Sequence, residues 1–427
     1  MKKGILLVMW VLVVSLLSFA GDVKNVIFLI GDGMGANQML LTSYLEGREL
    51  YMMQMPYTGY AITYSADSNV TDSAAAGTAL ASGYKTDNGF IGVLPNGEVV
   101  PTIAEVLAEQ GYKTGVIATS RITHATPAAY YGHSNDRDAE QVLAEQLVNS
   151  NLTVALGGGW NYFDPTRRAD RKDLISVAKG NGFDYITTKQ ELMAYSGEKV
   201  LGLFASSHMN SVTERTPAEP LLPEMTAKAI EILSKDDAPF FLMVEGSQID
   251  WEGHDNDAFG IWKETVEFDE AVKVALDFAK ENPDTLVVVT ADHETGGLGL
   301  STGGYTMDLE MVRKYQKTTD WVVANSKNME ELKSNVKEYY GFDLSEEEVA
   351  YLEAAGNKIE ALAEITSARA SLGWTTHDHT GALVPVFAFG PRAERFVGIM
   401  DNTDLPRKIA SLLGVELSYP LVNVPNN

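Results

Sequence analysis

Short apolar runs alternate with amphipathic stretches along most of the chain. Strands buried on both faces are indicated by seven apolar runs, at residues 23–30, 114–119, 154–156, 200–204, 240–244, 285–290 and 384–389. Helices are indicated where apolar positions recur on one face, at residues 102–110, 139–148, 223–234, 259–280 and 404–413. This alternation predicts an α/β fold with a mainly parallel sheet that helices cover on both faces.

The pattern changes between residues 300 and 373. Helices with charged faces are indicated there at residues 329–339, 345–355 and 358–371. We interpret residues 300–373 as a helical insertion or a small cap, and not as a second catalytic unit. The chain shows no internal repeat and no low-complexity linker.

The first twenty residues differ from the rest. Lys2 and Lys3 precede an unbroken apolar run at residues 5–14, and the segment ends with small residues up to Ala20. This order predicts a signal peptide at residues 1–20, cleaved after Ala20, and a mature protein in the periplasm or outside the cell. An N-terminal membrane anchor is the alternative for this segment. No other run of about 18 apolar residues indicates a membrane span.

Composition and charge restrict the chemistry. The formal net charge is −25, and removal of residues 1–20, with their two lysines and no acids, would make it −27. Such a surface disfavours nucleic acid as a partner and repels phosphate at long range, so an anionic substrate requires a local positive centre. The chain has no Cys, which excludes disulfides and thiolate ligands. A transition-metal site must therefore use His and carboxylates.

Acidic and histidine side chains gather near the ends of five predicted strands. They are Asp32; Glu245, Asp250 and His254; Asp292 and His293; His124; and His377, Asp378 and His379. In open α/β sheets such positions meet at one edge. Asp250 and His254 are one helical turn apart and can face one ion, which suits Zn²⁺ or a related divalent ion.

The segment 70–78 places Ser73 beside Asp72 and ahead of a run of alanines and a glycine. Small residues allow a helix N-terminus to lie close to other backbone and to favour an anion. Ser73 is therefore a candidate nucleophile, and the alternative is an ordinary helix cap. The segment 31–36 fits a dinucleotide-binding pattern weakly, and a turn that holds the Asp32 carboxylate for a metal is the better interpretation.

The sequence alone leaves the roles of several residues open. His124, with Thr126 nearby, is either a ligand or a buried structural histidine. Arg137 is compatible with a surface ion pair. His133 and His208 are interpreted as structural or supporting residues.

Six segments in order resemble the motifs of the alkaline phosphatase family, which are secreted metal-dependent phosphomonoesterases. They are residues 31–35, 71–74, 124–127 with Arg137, 244–254, 290–293 and 379–381. The resemblance covers nearly all of the chain after residue 20. It implies a three-layer α/β sandwich formed by one catalytic domain at residues 21–427, and it implies a homodimer.

The resemblance also implies two Zn²⁺ ions and a third divalent ion, which is Mg²⁺ or possibly Co²⁺ or Zn²⁺. The implied ligands are Asp250, His254 and His379 for one zinc; Asp32, Asp292 and His293, together with the Ser73 hydroxyl, for the other; and Asp32, His124, Thr126 and Glu245 for the third ion. Ser73 would become phosphorylated, Arg137 would clamp the phosphate oxygens, and Asp72 would orient Arg137. His377 is the alternative to His379, and the following Thr380 and Gly381 favour His379.

Two positions depart from the best-known bacterial members, which have Asp at the position of His124 and Lys at that of Trp251. A histidine in the third site favours a borderline metal over Mg²⁺. The rival functions are a phosphodiesterase or sulfatase of the same superfamily and a non-catalytic metal- or phosphate-binding envelope protein. Residues 73–77 lack the Pro and Arg of a sulfatase motif, and Arg137 favours a monoester dianion.

Overall fold

A ten-stranded sheet forms the centre of the computed structural model, which describes residues 22–417. The strands are β1 (Asn25–Gly31), β2 (Tyr57–Ile62), β3 (Lys113–Arg121), β4 (Val154–Gly158), β5 (Asp184–Ile186), β6 (Val200–Leu203), β7 (Phe240–Gly246), β8 (Thr285–Thr290), β9 (Glu294–Thr295), β10 (His379–Thr380), β11 (Val384–Phe389) and β12 (Gly398–Asp401). The sheet order is β12–β2–β11–β8–β1–β7–β3–β4–β6–β5, and β9 and β10 form a separate pair. β11 runs antiparallel to both of its neighbours, and the other neighbouring pairs of this sheet are parallel.

Helices occupy most of the connections between these strands. They are α1 (Ala36–Glu46), α2 (Ser73–Ser82), α3 (Ile103–Glu109), α4 (Ala125–Ala128), α5 (Glu140–Val148), α6 (Leu174–Gly180), α7 (Lys189–Ala194), α8 (Leu222–Leu233), α9 (Gln248–His254), α10 (Ala258–Glu281), α11 (Leu309–Val312), α12 (Thr319–Ala324), α13 (Met329–Tyr340), α14 (Glu346–Ala354), α15 (Lys358–Arg369) and α16 (Asp404–Leu412). α10 packs against α1 and α8, and α2 packs against α3, α4 and α16.

The central strands are apolar because both of their faces are covered. Every residue of β1, β7 and β8 is buried, as expected for parallel strands between two helix layers. β1 lies between β7 and β8 in a register that sets Ile30 opposite Glu245 and opposite Thr290. This register brings the carboxyl ends of the three strands to the same level of the sheet.

All seven predicted strands are present, and the α/β fold is confirmed. The eight predicted helices outside segment 70–78 are also present, with ends within two residues of the predicted ones. β2, β5, β9, β10 and β12 were not predicted. β2 alternates between buried and exposed positions, and β12 is a four-residue edge strand, so neither has a continuous apolar run.

The helices α11–α15 lie between the two ends of the predicted insertion. Gly299 N donates to Gly373 O (2.6 Å), and Gly373 N donates to Gly299 O (3.1 Å), so the ends of this segment are paired. The division into one catalytic domain and an insertion stays a prediction. The predicted signal peptide lies outside the described residues. Within residues 22–417, no helix has both the length and the apolar character needed to cross a membrane.

Candidate active site

Four adjacent strands of the sheet, β8, β1, β7 and β3, direct acidic and histidine residues to one edge. Asp292 follows β8, Asp32 follows β1, Glu245 lies in β7, and β3 leads to His124. The three carboxylates are fully buried. Since the four strands are parallel neighbours, residues that are distant in sequence become neighbours in space.

A glycine turn allows this edge to close tightly. Gly33 follows Asp32 with a φ of +73°, and a Cβ at this position would lie 2.6 Å from the Cα of Asp250. Only glycine accommodates both the left-handed backbone and the close contact with α9. The segment 31–36 is therefore a turn that supports the site, as the sequence indicated.

The predicted ligands form three clusters in which the possible ligand atoms lie within 4.8 Å of one another. The first cluster is Asp250, His254 and His379; the second is Asp32, Asp292 and His293; and the third is Asp32, His124 and Glu245. Each matches one of the three ligand sets that the family resemblance implied. The hydroxyls of Thr126 and Ser73, the two other predicted ligands, are not part of these clusters, and the Thr126 hydroxyl is also buried.

The geometry of the first two clusters is compact. In the first, His254 Nε2 lies 3.4 Å from Asp250 Oδ2 and 3.2 Å from His379 Nε2. In the second, His293 Nε2 lies 3.2 Å from Asp292 Oδ2 and 3.5 Å from Asp32 Oδ1. Imidazole nitrogens and carboxylate oxygens that converge in this way are the donors that divalent transition metals prefer.

Buried polar atoms without partners test whether these residues fit a metal. Among the described residues, no hydrogen-bond partner reaches the following buried atoms of the clusters and Thr126: Asp32 Oδ1 and Oδ2, Asp292 Oδ2, Glu245 Oε1, His124 Nδ1 and Thr126 Oγ1. Buried polar atoms are normally paired, because an unpaired one costs about 1–3 kcal/mol. Divalent cations would compensate all six, so the donor set fits metal ions.

The carboxylate pKa values support the same conclusion. Burial, followed by repulsion from Asp292, raises the pKa of Asp32 well above its ordinary value. Burial is also the main cause that raises the pKa of Glu245 to about 8 and that of Asp292 to about 7. Closely packed buried carboxylates resist ionisation unless positive charge is nearby. The protein alone does not supply that charge to these groups.

Ser73 lies at the start of α2 and faces the second cluster. Asp72 is the helix cap, since its Oδ1 accepts a hydrogen bond from Ala75 N (2.9 Å). The Ser73 side chain is therefore not needed as the cap, and its Oγ lies 3.2 Å from His293 Nε2. Every residue of α2 is buried, which explains the run of alanines. The cap and the candidate nucleophile are adjacent residues.

Arg137 is attached to the same helix start. Its Nη1 donates to Asp72 Oδ2 (2.8 Å), which also accepts from Gly89 N (2.9 Å). Nη2 lies 3.4 Å from His124 Nε2, beside the third cluster. The ion pair is partly exposed, with 25% of the Arg137 side chain and 19% of the Asp72 side chain accessible. The guanidinium thus stands where the site opens to solvent.

His379, and not His377, belongs to the first cluster. Its Nε2 faces Asp250 Oδ1 at 3.5 Å, while its Nδ1 lies 2.9 Å from Thr71 O. The carbonyl of His377 instead bonds His254 Nδ1, and its ring Nδ1 lies 2.9 Å from His254 O. His377 therefore supports the predicted ligand His254 from the side away from the cluster.

The two other histidines have separate surroundings. His208 packs edge-on against Trp251, with ring centroids 4.1 Å apart, and its Nε2 lies 2.6 Å from Arg121 Nη1. Its ring centroid is 5.5 Å from that of His124, so His208 contributes to the wall of the site. His133 bonds Glu105 (3.0 Å) away from the clusters.

Two residues that support the site, Thr295 and Arg121, were not predicted from the sequence. Thr295 Oγ1 bonds Asp250 Oδ1 (2.6 Å) and lies 3.2 Å from His293 Nδ1. Arg121 holds His208 in place. The only sequence signal for these two residues was that each lies close in sequence to a predicted ligand, because a hydroxyl or guanidinium that supports another site residue has no characteristic spacing.

The sheet is mainly parallel, and its strand ends hold three carboxylate–histidine clusters beside a buried serine. This combination of fold and site is typical of a metal-dependent hydrolase. The family model for alkaline phosphatase matches residues 23–415. The chain belongs to the alkaline phosphatase family, and it shares the phosphomonoester hydrolase activity of that family.

Individual alkaline phosphatases are similar to this chain in both sequence and structure. Alkaline phosphatase 4 of Bacillus subtilis is 38% identical over 414 residues, which cover 92% of this chain and 89% of that protein. The cold-active alkaline phosphatase of Shewanella sp. is 35% identical, with a TM-score of 0.84 over 91% of this chain and 99% of that one. A TAB5 alkaline phosphatase with a histidine-to-aspartate mutation and Mg bound in its M3 site is 35% identical, with a TM-score of 0.72 over 92% of this chain and 99% of that one.

Proposed function

We propose that the chain hydrolyses phosphomonoesters through a covalent phosphate on Ser73. The observation that carries this proposal is the position of Ser73 Oγ, buried at a helix start and 3.2 Å from His293 Nε2 of the second cluster. Ser73 loses its proton and Oγ forms a bond to phosphorus while the bond from phosphorus to the alcohol oxygen breaks, and that oxygen takes up a proton as the alcohol leaves. Water then cleaves the bond between phosphorus and Oγ, Ser73 regains its proton, and inorganic phosphate leaves.

The three clusters are the proposed metal sites. The first and second would each hold a zinc ion, and the third, completed by Thr126, would hold Mg²⁺, Co²⁺ or Zn²⁺. Bound divalent ions would lower the pKa of the Ser73 hydroxyl and stabilise the negative charge on the attacking and leaving oxygens. Among the described residues no side-chain base other than His293 bonds Ser73 Oγ, and His293 is itself a proposed ligand. The serine thus depends on the metal sites for activation.

Arg137 is the proposed phosphate-binding residue. Asp72 fixes Nη1 of its guanidinium and Nη2 lies 3.4 Å from His124 Nε2, and the N–H groups outside these contacts would donate two parallel hydrogen bonds to phosphate oxygens. The positive end of α2, whose first residue is Ser73, favours the same anion. These two features select a monoester dianion over a diester, which carries one charge less.

His124 is proposed to set the metal preference of the third site. Its imidazole replaces one oxygen ligand, and oxygen-only ligand sets are what Mg²⁺ prefers. The TAB5 mutant, with aspartate in place of a histidine and Mg in its M3 site, makes His124→Asp the natural test. Stripped enzyme should regain more activity with Co²⁺ than with Mg²⁺ in the third site, and His124→Asp should reverse that order. Equal activation by both ions in the unmodified protein would refute the role.

The location and assembly of the protein are inferred from the sequence and the family. We infer export to the periplasm or the exterior from residues 1–20, and a homodimer from the family resemblance. Mass spectrometry of the secreted chain should find its N-terminus at Gly21, and light scattering of the purified protein should give twice the chain mass.

Ser73→Ala tests the mechanism directly. Hydrolysis of an aryl phosphate should fall by at least about a thousandfold, because the covalent step is lost. Ser82→Ala is the matched control, since Ser82 lies buried at the other end of the same helix and bonds only backbone groups. Intact-mass analysis of quenched wild-type enzyme should detect one added phosphoryl group that is missing in Ser73→Ala. Undiminished turnover by Ser73→Ala refutes the mechanism, and faster cleavage of an aryl diester than of the monoester refutes the substrate assignment.

A further inference from the structure

The Thr295 hydroxyl connects the first cluster to the second. Thr295 lies in β9 and is completely buried. Its Oγ1 is 2.6 Å from Asp250 Oδ1 and 3.2 Å from His293 Nδ1. Asp250 and His293 are proposed ligands of different metal ions, so one hydroxyl contacts both coordination spheres.

The direction of these two hydrogen bonds follows from proton counting. A threonine hydroxyl has a single proton, and an ionised carboxylate can only accept. Thr295 Oγ1 lies 2.6 Å from Asp250 Oδ1 as the donor, a separation typical of a hydroxyl that donates to an ionised carboxylate. Thr295 therefore donates to Asp250 and accepts from His293, so the proton of the neutral imidazole resides on Nδ1.

This tautomer presents the correct atom of His293 to the second cluster. With the proton on Nδ1, the Nε2 lone pair faces Asp32 and Asp292, at 3.5 and 3.2 Å. A metal ion requires that lone pair. The other tautomer would direct an N–H at the position where the ligand electron pair is needed.

Backbone packing holds the hydroxyl in place. Thr295 N donates to Gly33 O (3.2 Å). A Cβ at Gly33 would lie 2.9 Å from Thr295 Oγ1, and one at Gly253 would lie 3.0 Å from Thr295 Cβ. The side chain is thus enclosed between the β1 turn and α9.

We propose that Thr295 is a positioning residue that fixes the tautomer of His293 and couples the first and second metal sites. This inference rests on the proposed function of the two clusters as metal sites. Loss of a group that orients a metal ligand typically lowers metal affinity about 10- to 100-fold. Because Thr295 contacts ligands of both sites, its loss lowers the affinity of both.

Thr295→Val removes the hydroxyl and keeps the shape, whereas Thr295→Ser keeps the hydroxyl. Chelator competition should show that zinc binding at both sites weakens about 10- to 100-fold in Thr295→Val and stays near the wild-type value in Thr295→Ser. Thr265→Val is the control for a buried threonine-to-valine change, because Thr265 Oγ1 is buried without a hydrogen-bond partner among the described residues. Thermal melting confirms that each variant is folded.

Imidazole ¹⁵N spectra of the metal-free protein supply a readout that needs neither metal nor activity. The wild type and Thr295→Ser should show His293 protonated on Nδ1, and Thr295→Val should show a mixture of tautomers. Wild-type zinc affinity in Thr295→Val, or an Nε2-protonated His293 in the wild type, overturns the inference. If the wild type binds no zinc, the proposed function fails instead, and the spectra still decide the tautomer.

Discussion

Replacing Arg137 by lysine tests how the protein holds phosphate. The guanidinium of Arg137 uses Nη1 to bond Asp72 at 2.8 Å, and Nη2 extends towards His124 at 3.4 Å. A lysine ammonium that stays paired with Asp72 cannot offer two parallel N–H groups to the phosphate. We therefore expect Arg137→Lys to bind both phosphate and the transition state less tightly.

The expected magnitude follows from the number of bonds lost. One hydrogen bond to a charged group contributes about 1.5–3 kcal/mol. Because 25% of the Arg137 side chain is exposed, solvent screening favours the lower part of that range, which corresponds to a roughly 10- to 30-fold fall in kcat/KM. Arg137→Ala removes both phosphate bonds and leaves the Asp72 carboxylate unpaired beside the anion. Its kcat/KM should fall by roughly 10²- to 10³-fold.

Steady-state hydrolysis of an aryl phosphate, together with inhibition by inorganic phosphate, measures both effects. The inhibition constant should rise in the same order, with wild type lowest and Arg137→Ala highest, while bound metal stays constant. Arg369→Lys is the control, since Arg369 pairs with Glu348 (2.7 Å) in the segment of α11–α15. The reasoning is refuted if Arg137→Lys and Arg137→Ala keep the phosphate inhibition constant of the wild type.

Three further outcomes are expected. In metal-free protein the melting temperature should fall as pH rises from about 5 to about 8, because burial raises the pKa of Glu245 to about 8. The folded state then holds a proton that the unfolded chain releases near its ordinary pKa of about 4.3. Zinc should remove this pH dependence, and a melting temperature that does not change with pH in the metal-free protein contradicts the prediction. Gly33→Ala should lose zinc, measured by elemental analysis, because its Cβ would lie 2.6 Å from the backbone of the first cluster, whereas Gly97→Ala, with a φ of +85° but open space, should keep it. Glu105→Gln should lower the melting temperature more at pH 6 than at pH 9. Burial lowers the pKa of His133, but the hydrogen bond to Glu105 raises it above its ordinary value, so the stabilisation from the protonated His133–Glu105 pair is complete below about pH 6.5 and is lost as pH rises through the folded-state pKa of His133. An equal effect of the substitution at both pH values contradicts the prediction.

The buried centre of the fold was predictable because its sequence pattern is strong. Strands such as β8 are short and fully buried, with an apolar centre between polar residues, so pattern alone defines them. β2 and β12 are different, because Thr58 and Gly59 interrupt the apolar residues of β2, and β12 has only two apolar residues between Gly398 and Asp401. β2 becomes a strand because it pairs with β11 and β12, which is a tertiary effect that local sequence does not contain.

Much of the candidate site was predictable for a related reason. Its ligands follow strand ends, and the sheet register brings those ends together, so motif order along the chain indicated the three clusters. The supporting residues were not predictable in this way. Thr295 reaches Asp250 across 45 positions of sequence, and the β9–β10 pairing that aligns Thr295 with His379 consists of only two residue pairs. Such contacts depend on the finished fold.

The charge balance of the site explains how so acidic a protein can bind a dianion. The three clusters contain four buried carboxylates, from Asp32, Glu245, Asp250 and Asp292. Without cations these groups either repel phosphate or take up protons, and the raised pKa of Glu245 shows that protonation is favoured. Three divalent ions would exceed the four negative charges by two, which matches the charge of a phosphate monoester dianion. On the proposed assignment, metal binding would precede phosphate binding, and Arg137, paired with Asp72, would orient an anion that the loaded clusters attract.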